Sequence, residues 1–448
     1  MNNLKLIHSV VLGLILIGGC TVHPPGENEE RQAALDAGKP YEKPADHRAA
    51  PSLPENPKVD DLVHYALLTN ADLEQQYWQW RAAIEQVTID GTQPTSLAIS
   101  LSTTPNNGAF APDRTFATAG NDPMTDIPSP GKLSAAARRS LENARAAGVR
   151  FRKAQFELRS KVVSAYDDYA LNAELIRLGE ENIQLLQITA TITEARNRSG
   201  VGGQQDVLKA HNEVDLVEND VANMRSELPI ERAVINALLN RPANAAIPVP
   251  DSLPSTRPIV ASDEQVLDRA AQLNPDLVAL ADEIRGKHED IQLAKLQYYP
   301  DFDVAASTDL KGIAQTLLGE FTVPILRYEA LRAVVAQAEA NLHAFEAMRQ
   351  QTNNDLAAQI VDDIATLRDA DRQLDLLEHT ILPRARQAVT LARTAYQTGN
   401  TSLLDILDSE RSLIGIERVL ANLQIIRDKR FADIEAIDAV DLDPREKA

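Results

Sequence analysis

The chain of 448 residues is 44% hydrophobic and 25% charged, a balance that belongs to folded proteins and excludes a disordered tail. Lys+Arg 45 against Asp+Glu 65 gives a formal net charge of −20. So acidic a chain lacks the basic stripe that phosphate backbones require, and no nucleic-acid partner is expected. Aromatic residues are only 4%, too few for a large membrane barrel closed by one chain with an aromatic girdle at each interface.

The first twenty residues read as an export signal. Met1 to Lys5 form a short positive start, Ile7 to Ile17 an apolar run too short to span a bilayer, and Ile17-Gly18-Gly19-Cys20 a lipobox. Small residues let the peptidase seat the chain, and the Cys20 thiol takes the diacylglycerol, with an N-acyl lipid completing the anchor. Cys20 is the only cysteine, so no disulfide competes for it; an ordinary signal peptide with an incidental cysteine is the plainer alternative. Thr21 stands where an aspartate would signal retention at the inner membrane, so sorting to the outer membrane is expected. Residues 20–57 are proline-rich and charged (Pro24, Pro25, Pro44, Pro51, Pro54, Pro57) and predict an extended tether, with folding starting near Val59.

Two long helical stretches follow. From Leu133 to Ser199 there is no proline, and Val162, Tyr169, Ile176 and Ile183 fall seven apart; from Ile325 to Thr398, Ile360, Leu367, Leu374 and Ile381 do the same. Sustained heptads predict supercoiled helices, each approaching about 100 Å if continuous. Pro383 is expected to bend the second and Gly179 to loosen the first.

The halves repeat one unit. Asn70-Ala71-Asp72-Leu73 opens a helix that runs to Pro94 and an alternating strand, Leu97 to Ser102; Asn274-Pro275-Asp276-Leu277 opens one that runs to Pro300 and the strand Phe302 to Ala305. Asp126-Ile127-Pro128 and Thr322-Val323-Pro324 lead into the long helices, which end at Gly200 and Gly399, and Asp206 and Asp405 open the return helices. Offsets of 206, 196, 199 and 199 residues for Pro94/Pro300, Pro128/Pro324, Gly200/Gly399 and Asp206/Asp405 describe two tandem copies, the drop reflecting a longer first hairpin loop around Pro105 to Arg114. The predicted fold is mainly α with a small β part. It divides into a signal peptide (1–19), a lipidated tether (20–57), a first repeat (58–247), a linker (248–261), a second repeat (262–440) and a tail (441–448). Four strands per chain cannot close a membrane barrel, whose single-chain minimum is about eight, so strands that enter a membrane must be pooled by several chains. Strands that merely cap a soluble helical bundle are the alternative.

In order and spacing these segments resemble the TolC-type outer-membrane efflux family, over about Val59 to Ile437. The carrying residues are Asn274 to Leu277, Lys295 to Asp301, Ala395-Tyr396-Gln397-Thr398-Gly399 and Asp405-Ile406-Leu407-Asp408, with the twofold repeat. Asp126 to Leu133 also looks like the hairpin exit of the subfamily serving heavy-metal cation pumps. The resemblance implies a homotrimer, lipid-anchored in the outer membrane, with a twelve-stranded barrel and a twelve-helix periplasmic tunnel. Its partners would be a periplasmic adaptor and an inner-membrane pump of the resistance-nodulation-division type. The chain would be a passive duct and not an enzyme, with no cofactor beyond the Cys20 lipid.

The resemblance also assigns residues at the tip. Asp405 and Asp408 match the aspartates of the periplasmic aperture, where three chains would converge six carboxylates into a cation site and electrostatic filter. No other metal site is expected. The alternative is that Asp405, like Asp206, is only a carboxylate at a helix N-terminus. Lys209 is the repeat counterpart of Asp408, so the two hairpins differ chemically and the second is the expected gate. Tyr396 and Asp206 match a hydrogen-bonded latch between neighbouring coils, and Thr401 stands where the best-known latch has an arginine, so one restraint is absent or replaced. Gly200 and Gly399 are expected to stop their helices in the left-handed conformation, and the resemblance makes these turns the adaptor's docking points.

No Walker, HExxH, GxSxG or paired-cysteine pattern occurs, and the eight histidines are scattered. The acid pairs Asp167-Asp168 and Asp362-Asp363 read as solvated helix faces. Trp78 and Trp80, two apart on one helix, cannot both face one core, which leaves one for an interface. A lipid-anchored periplasmic coiled-coil scaffold would account for Cys20 and the heptads but not for the strands or the duplication.

Overall fold

The computed structural model describes residues 21–43, 47–48, 51–94, 96–104, 112–121, 126–255, 257, 262–309, 315–323 and 325–438. The signal peptide, Cys20, Pro324, most of the first hairpin loop and the 441–448 tail lie outside these residues. In chain order the elements are α1 (Glu27–Ala37), α2 (Val59–Thr69), α3 (Ala71–Gly91), β1 (Leu97–Thr103), β2 (Thr115–Asn121), α4 (Pro130–Arg198) and α5 (Gln204–Leu238). Then come α6 (Asp263–Leu273), α7 (Pro275–Leu296), β3 (Asp301–Asp309), β4 (Gln315–Thr322), α8 (Tyr328–Leu376), α9 (Leu382–Gln397) and α10 (Leu403–Asp438). No helix among the described residues is long and apolar enough to cross a membrane.

The chain forms two compact units, to both of which α3, α4 and α8 contribute. The first holds the sheet, an antiparallel meander in the order β1-β2-β3-β4 whose outer strands, β1 and β4, each have one edge unpaired within the sheet. Register places Ile99, Ala119, Ala306 and Leu317 in one row across all four strands and Phe302 opposite Phe321 on the same face. The other face carries Ser100, Thr118, Ser307, Thr316, Asp303 and Glu320. The apolar face is uncovered: Ile99 is 76% exposed, Leu317 74% and Phe321 72%.

Below the sheet two sequence motifs meet. Ile127 bridges Phe302, and the Lys132 ammonium, almost buried, donates to the Tyr299 carbonyl at 3.0 Å and to both Asp301 oxygens at 2.8 Å. The exit from the first hairpin is thus tied to the entry of the second.

The expected extended tether is in part a folded element. α1 lies on α3: Arg31 donates to Glu85 at 2.9 Å, Trp80 donates to Glu30 at 2.8 Å, and the amide of Val22 bonds the carbonyl of Gly91 at 2.9 Å. Charge masked this segment in the sequence, because one of its buried residues is Glu27, which pairs with Arg31 and hydrogen-bonds His23, leaving Ala34 and Tyr41 as its main apolar signal. Trp80 is buried and stacked on Phe151, whereas Trp78 is half exposed.

The second unit is a helical bundle. Val162, Tyr169, Ile176, Ile360, Leu367 and Leu374 are all buried and belong to its core, while the last heptad positions, Ile183 and Ile381, are half-buried. α4 runs unbroken through Gly179, contrary to the expected loosening; a Cβ there would come within 2.5 Å of Val221 on α5, so this glycine serves close helix packing. A π-helical turn at Leu377–Ile381 precedes Pro383 and separates α8 from α9. The Asn70 side chain donates to the Leu238 carbonyl and that of Asn274 to the Ile437 carbonyl, both at 2.9 Å. Each asparagine ties the start of one helix to the end of another.

Candidate functional site at the hairpin turns

Both long hairpins turn on a glycine with positive φ, +74° at Gly200 and +82° at Gly399. The amide of Val201 bonds the Arg196 carbonyl at 3.0 Å and that of Asn400 the Ala395 carbonyl at 2.8 Å, closing the same helix stop twice. A Cβ at Gly200 would touch nothing within 4 Å, so backbone conformation and not crowding requires glycine there.

Behind the turns the four helices share one core: Leu186 and Ala190 of α4, Ala210, Val214 and Val217 of α5, Tyr396 of α9, and Leu403, Ile406 and Leu407 of α10. A polar seam crosses it. The Tyr396 hydroxyl donates to Thr193 Oγ1 at 3.2 Å, the Arg196 guanidinium lies 4.4 Å from the Tyr396 ring centroid, and it donates to the Tyr396 carbonyl. Four residues up α4 from Thr193, Thr189 donates to buried Glu410 at 3.1 Å, and Arg393 donates to the same oxygen at 2.8 Å. Burial pushes the Glu410 carboxyl up while Arg393 pulls it back. At the rim Arg411 pairs with Glu213.

The predicted Tyr396–Asp206 latch is therefore not made within the chain: Tyr396 faces inward to Thr193, while Asp206 sits half-buried on the first turn of α5. Thr401 donates to Asp405, and the arginine that reaches Tyr396 is Arg196 of α4. Sequence reasoning overlooked Arg196, Thr193, Thr189 and Glu410. A signal was present, since 189, 193 and 196 share one face of a helix whose neighbouring buried residues are Leu186 and Ala190.

Asp405 and Asp408 are both exposed. Asp405 Oδ2 accepts from Thr401 Oγ1 at 2.5 Å and from the Ser402 amide and hydroxyl at 3.0 and 2.8 Å, while its own amide bonds Ser402 Oγ at 3.3 Å. This is a reciprocal N-terminal cap. The bond from Thr401, then those from Ser402, hold its carboxyl below the usual aspartate range. Among the described residues no group of three or more His, Cys, Asp or Glu side chains is arranged to hold a metal ion.

The acid pairs are corrected too. Asp167 and Asp363 are buried, at 0% and 1% exposure, and only their neighbours Asp168 and Asp362 face outward. Burial pushes Asp363 up to about 6 against the pull of Arg430, which donates to it at 2.9 Å.

Comparison with known proteins places this architecture. The model of the family described as outer membrane efflux protein matches residues 62–241 and 266–438. The cation efflux system protein CusC of Escherichia coli K12 is 24% identical over 71% of this chain and 72% of its own. The fusaric acid resistance protein FusA of Burkholderia cepacia is 25% identical over 47% of this chain, a match spanning 42% of that protein's length. Among solved structures, the outer membrane protein VceC of Vibrio cholerae superposes with a TM-score of 0.71 at 19% identity, over 85% of this chain and 95% of its own.

Proposed function

Because this chain belongs to the outer membrane efflux protein family, we propose that it is one third of a passive exit duct, a homotrimer whose pooled strands close a twelve-stranded barrel. The observation that carries this reading is the four-stranded sheet itself, with an open edge on either side and an apolar face in the open. Open edges are not tolerated in lipid, and pairing β4 of one copy with β1 of the next removes them all. The long helices then form a twelve-helix tunnel in the periplasm. A coiled-coil scaffold without a channel leaves the exposed apolar face unaccounted for. Mass measurement of the purified protein in detergent, with conductance in planar bilayers, tests the reading: a trimer that conducts is expected, and a stable monomer that does not would overturn it.

Transport energy comes from an inner-membrane pump of the resistance-nodulation-division type, relayed by a periplasmic adaptor that docks at the Gly200 and Gly399 turns. Acylated Cys20 anchors the chain. The Thr21 hydroxyl lies 3.2 Å from that of Thr92, close before β1 in the chain, which favours an anchor on the membrane side. The second hairpin is the gate, with Asp405 and Asp408 at its aperture. The seam of Thr189, Thr193, Arg196, Tyr396 and Glu410 holds it against the first hairpin.

A further inference from the structure

Asp167 of α4 has no exposed surface, and neither of its carboxylate oxygens has a hydrogen-bond partner among the described residues. An ionised carboxylate in that position bears its full desolvation penalty. The charged groups that face it are Asp428 and Lys429 of α10, Arg257 of the linker and Asp168 of its own helix. The two cations are turned to other partners. Arg257 donates to Asp428 at 3.3 Å and to Glu435 at 3.1 Å and lies 4.3 Å from the Phe431 ring centroid, and Lys429 donates to Asp168 at 2.6 Å. Because its own chain already covers Asp167 completely, a second copy cannot reach it unless α4 and α10 part.

We propose that Asp167 and Asp428 form a proton-binding site, in which Asp167 holds a proton at neutral pH and so lets α4, α10 and the linker close on one another. Burial first, and then the negative charge of Asp428, push the Asp167 carboxyl up to about 8. Protonated, it packs as a small neutral group; ionised, it sets a second buried negative charge against Asp428. The linker reaches the site through Arg257, which faces Asp167 and donates to Asp428 and Glu435 of α10. Proton occupancy therefore sets how firmly the linker is clasped.

The folded chain binds this proton between the ordinary aspartate value of 3.8 and about 8, so stability falls as pH rises through that window and levels off above it. The test uses the purified full chain in detergent, comparing thermal midpoints across the window and the infrared band of protonated carboxyl groups for wild type, Asp167→Asn and Asp428→Asn. In the wild type a protonated band is expected at neutral pH, fading near about pH 8. Asp167→Asn should lose that band and flatten the fall of the thermal midpoint. Asp428→Asn should move the band's titration down by about one pH unit or more. Parallel thermal profiles for wild type and Asp167→Asn, with no Asp167-dependent band at neutral pH, overturn the proposal. Should Asp167→Asn not fold, the Asp428→Asn titration decides, and an unmoved midpoint overturns it.

Discussion

The guanidinium of Arg196 covers the ring of Tyr396 and donates to its backbone carbonyl, the same oxygen that the Gly399 amide bonds at 3.0 Å to stop α9. One acceptor thus joins the turn of the second hairpin to a side chain of the first. Opening the hairpins at this level must break the arginine's bond and its stacking together, and the buried links of Thr193 to Tyr396 and Thr189 to Glu410 stand directly behind it.

Replacing Arg196 with alanine should therefore loosen the tip. The cation–π interaction and the charge-assisted bond together represent about 1–3 kcal/mol. Single-channel recordings should show a larger or more often open conductance in Arg196→Ala, with Arg196→Lys intermediate because an ammonium keeps the charge but not the planar stacking. A conductance indistinguishable from wild type in Arg196→Ala would remove the seam from the gate.

If Asp405 and Asp408 line the proposed aperture, the double substitution Asp405→Ala with Asp408→Ala should abolish block of the current by divalent cations, and unchanged block would refute the ring. Acid should act on the cap and on the block together. Its depressed carboxyl stays charged to a lower pH than an ordinary aspartate, so its helix cap and its share of the block are lost at a lower pH than an unperturbed aspartate would lose them. Thr401→Val removes the first cause of the depression, and the block should then fade at a higher pH than in wild type.

What could be read in the chain follows from what each residue needs. Val162, Tyr169, Ile360 and Leu367 announce their burial by period alone, and Gly200 and Gly399 announce a backbone turn no other residue makes cheaply. Asp167 and Asp363 gave no such sign, because a carboxylate on a helix reads as solvated until the neighbouring helix is in place. Arg196 was hidden for another reason: its acceptor is a backbone carbonyl, present at every position and marked by none. α1 escaped because its packing rests partly on a buried acid paired locally with Arg31 rather than on an apolar stripe.

The two faces of the sheet make opposite predictions. Leu317→Arg places a cation in the exposed apolar row with Ile99 and Ala306, where burial in the bilayer costs about 2–4 kcal/mol near the midplane. Ser307→Arg enters the polar face opposite Thr316, which a barrel turns toward water. Membrane extraction and gel mobility of unheated trimers should show assembly impaired in the first and retained in the second; equal behaviour would remove the membrane role of the face.

Asp363 and Arg430 provide a measure of how the second unit holds a buried charge. With its carboxyl raised to about 6 by burial, Asp363 carries a proton in the folded chain that the unfolded chain has already lost. Its contribution to stability accordingly declines as pH rises from the ordinary aspartate range to about 6. Arg430→Ala leaves the carboxylate without its cation and should cost about 1–3 kcal/mol, discounted because the guanidinium is partly solvated. It should also steepen the decline, since the pull that lowers the carboxyl is gone. Asp363→Asn should remove this decline, and combined with Arg430→Ala it should recover most of the loss, because no buried charge then lacks a partner. Thermal midpoints of the four proteins across acid pH check this, and strictly additive effects would mean that the 2.9 Å bond contributes nothing.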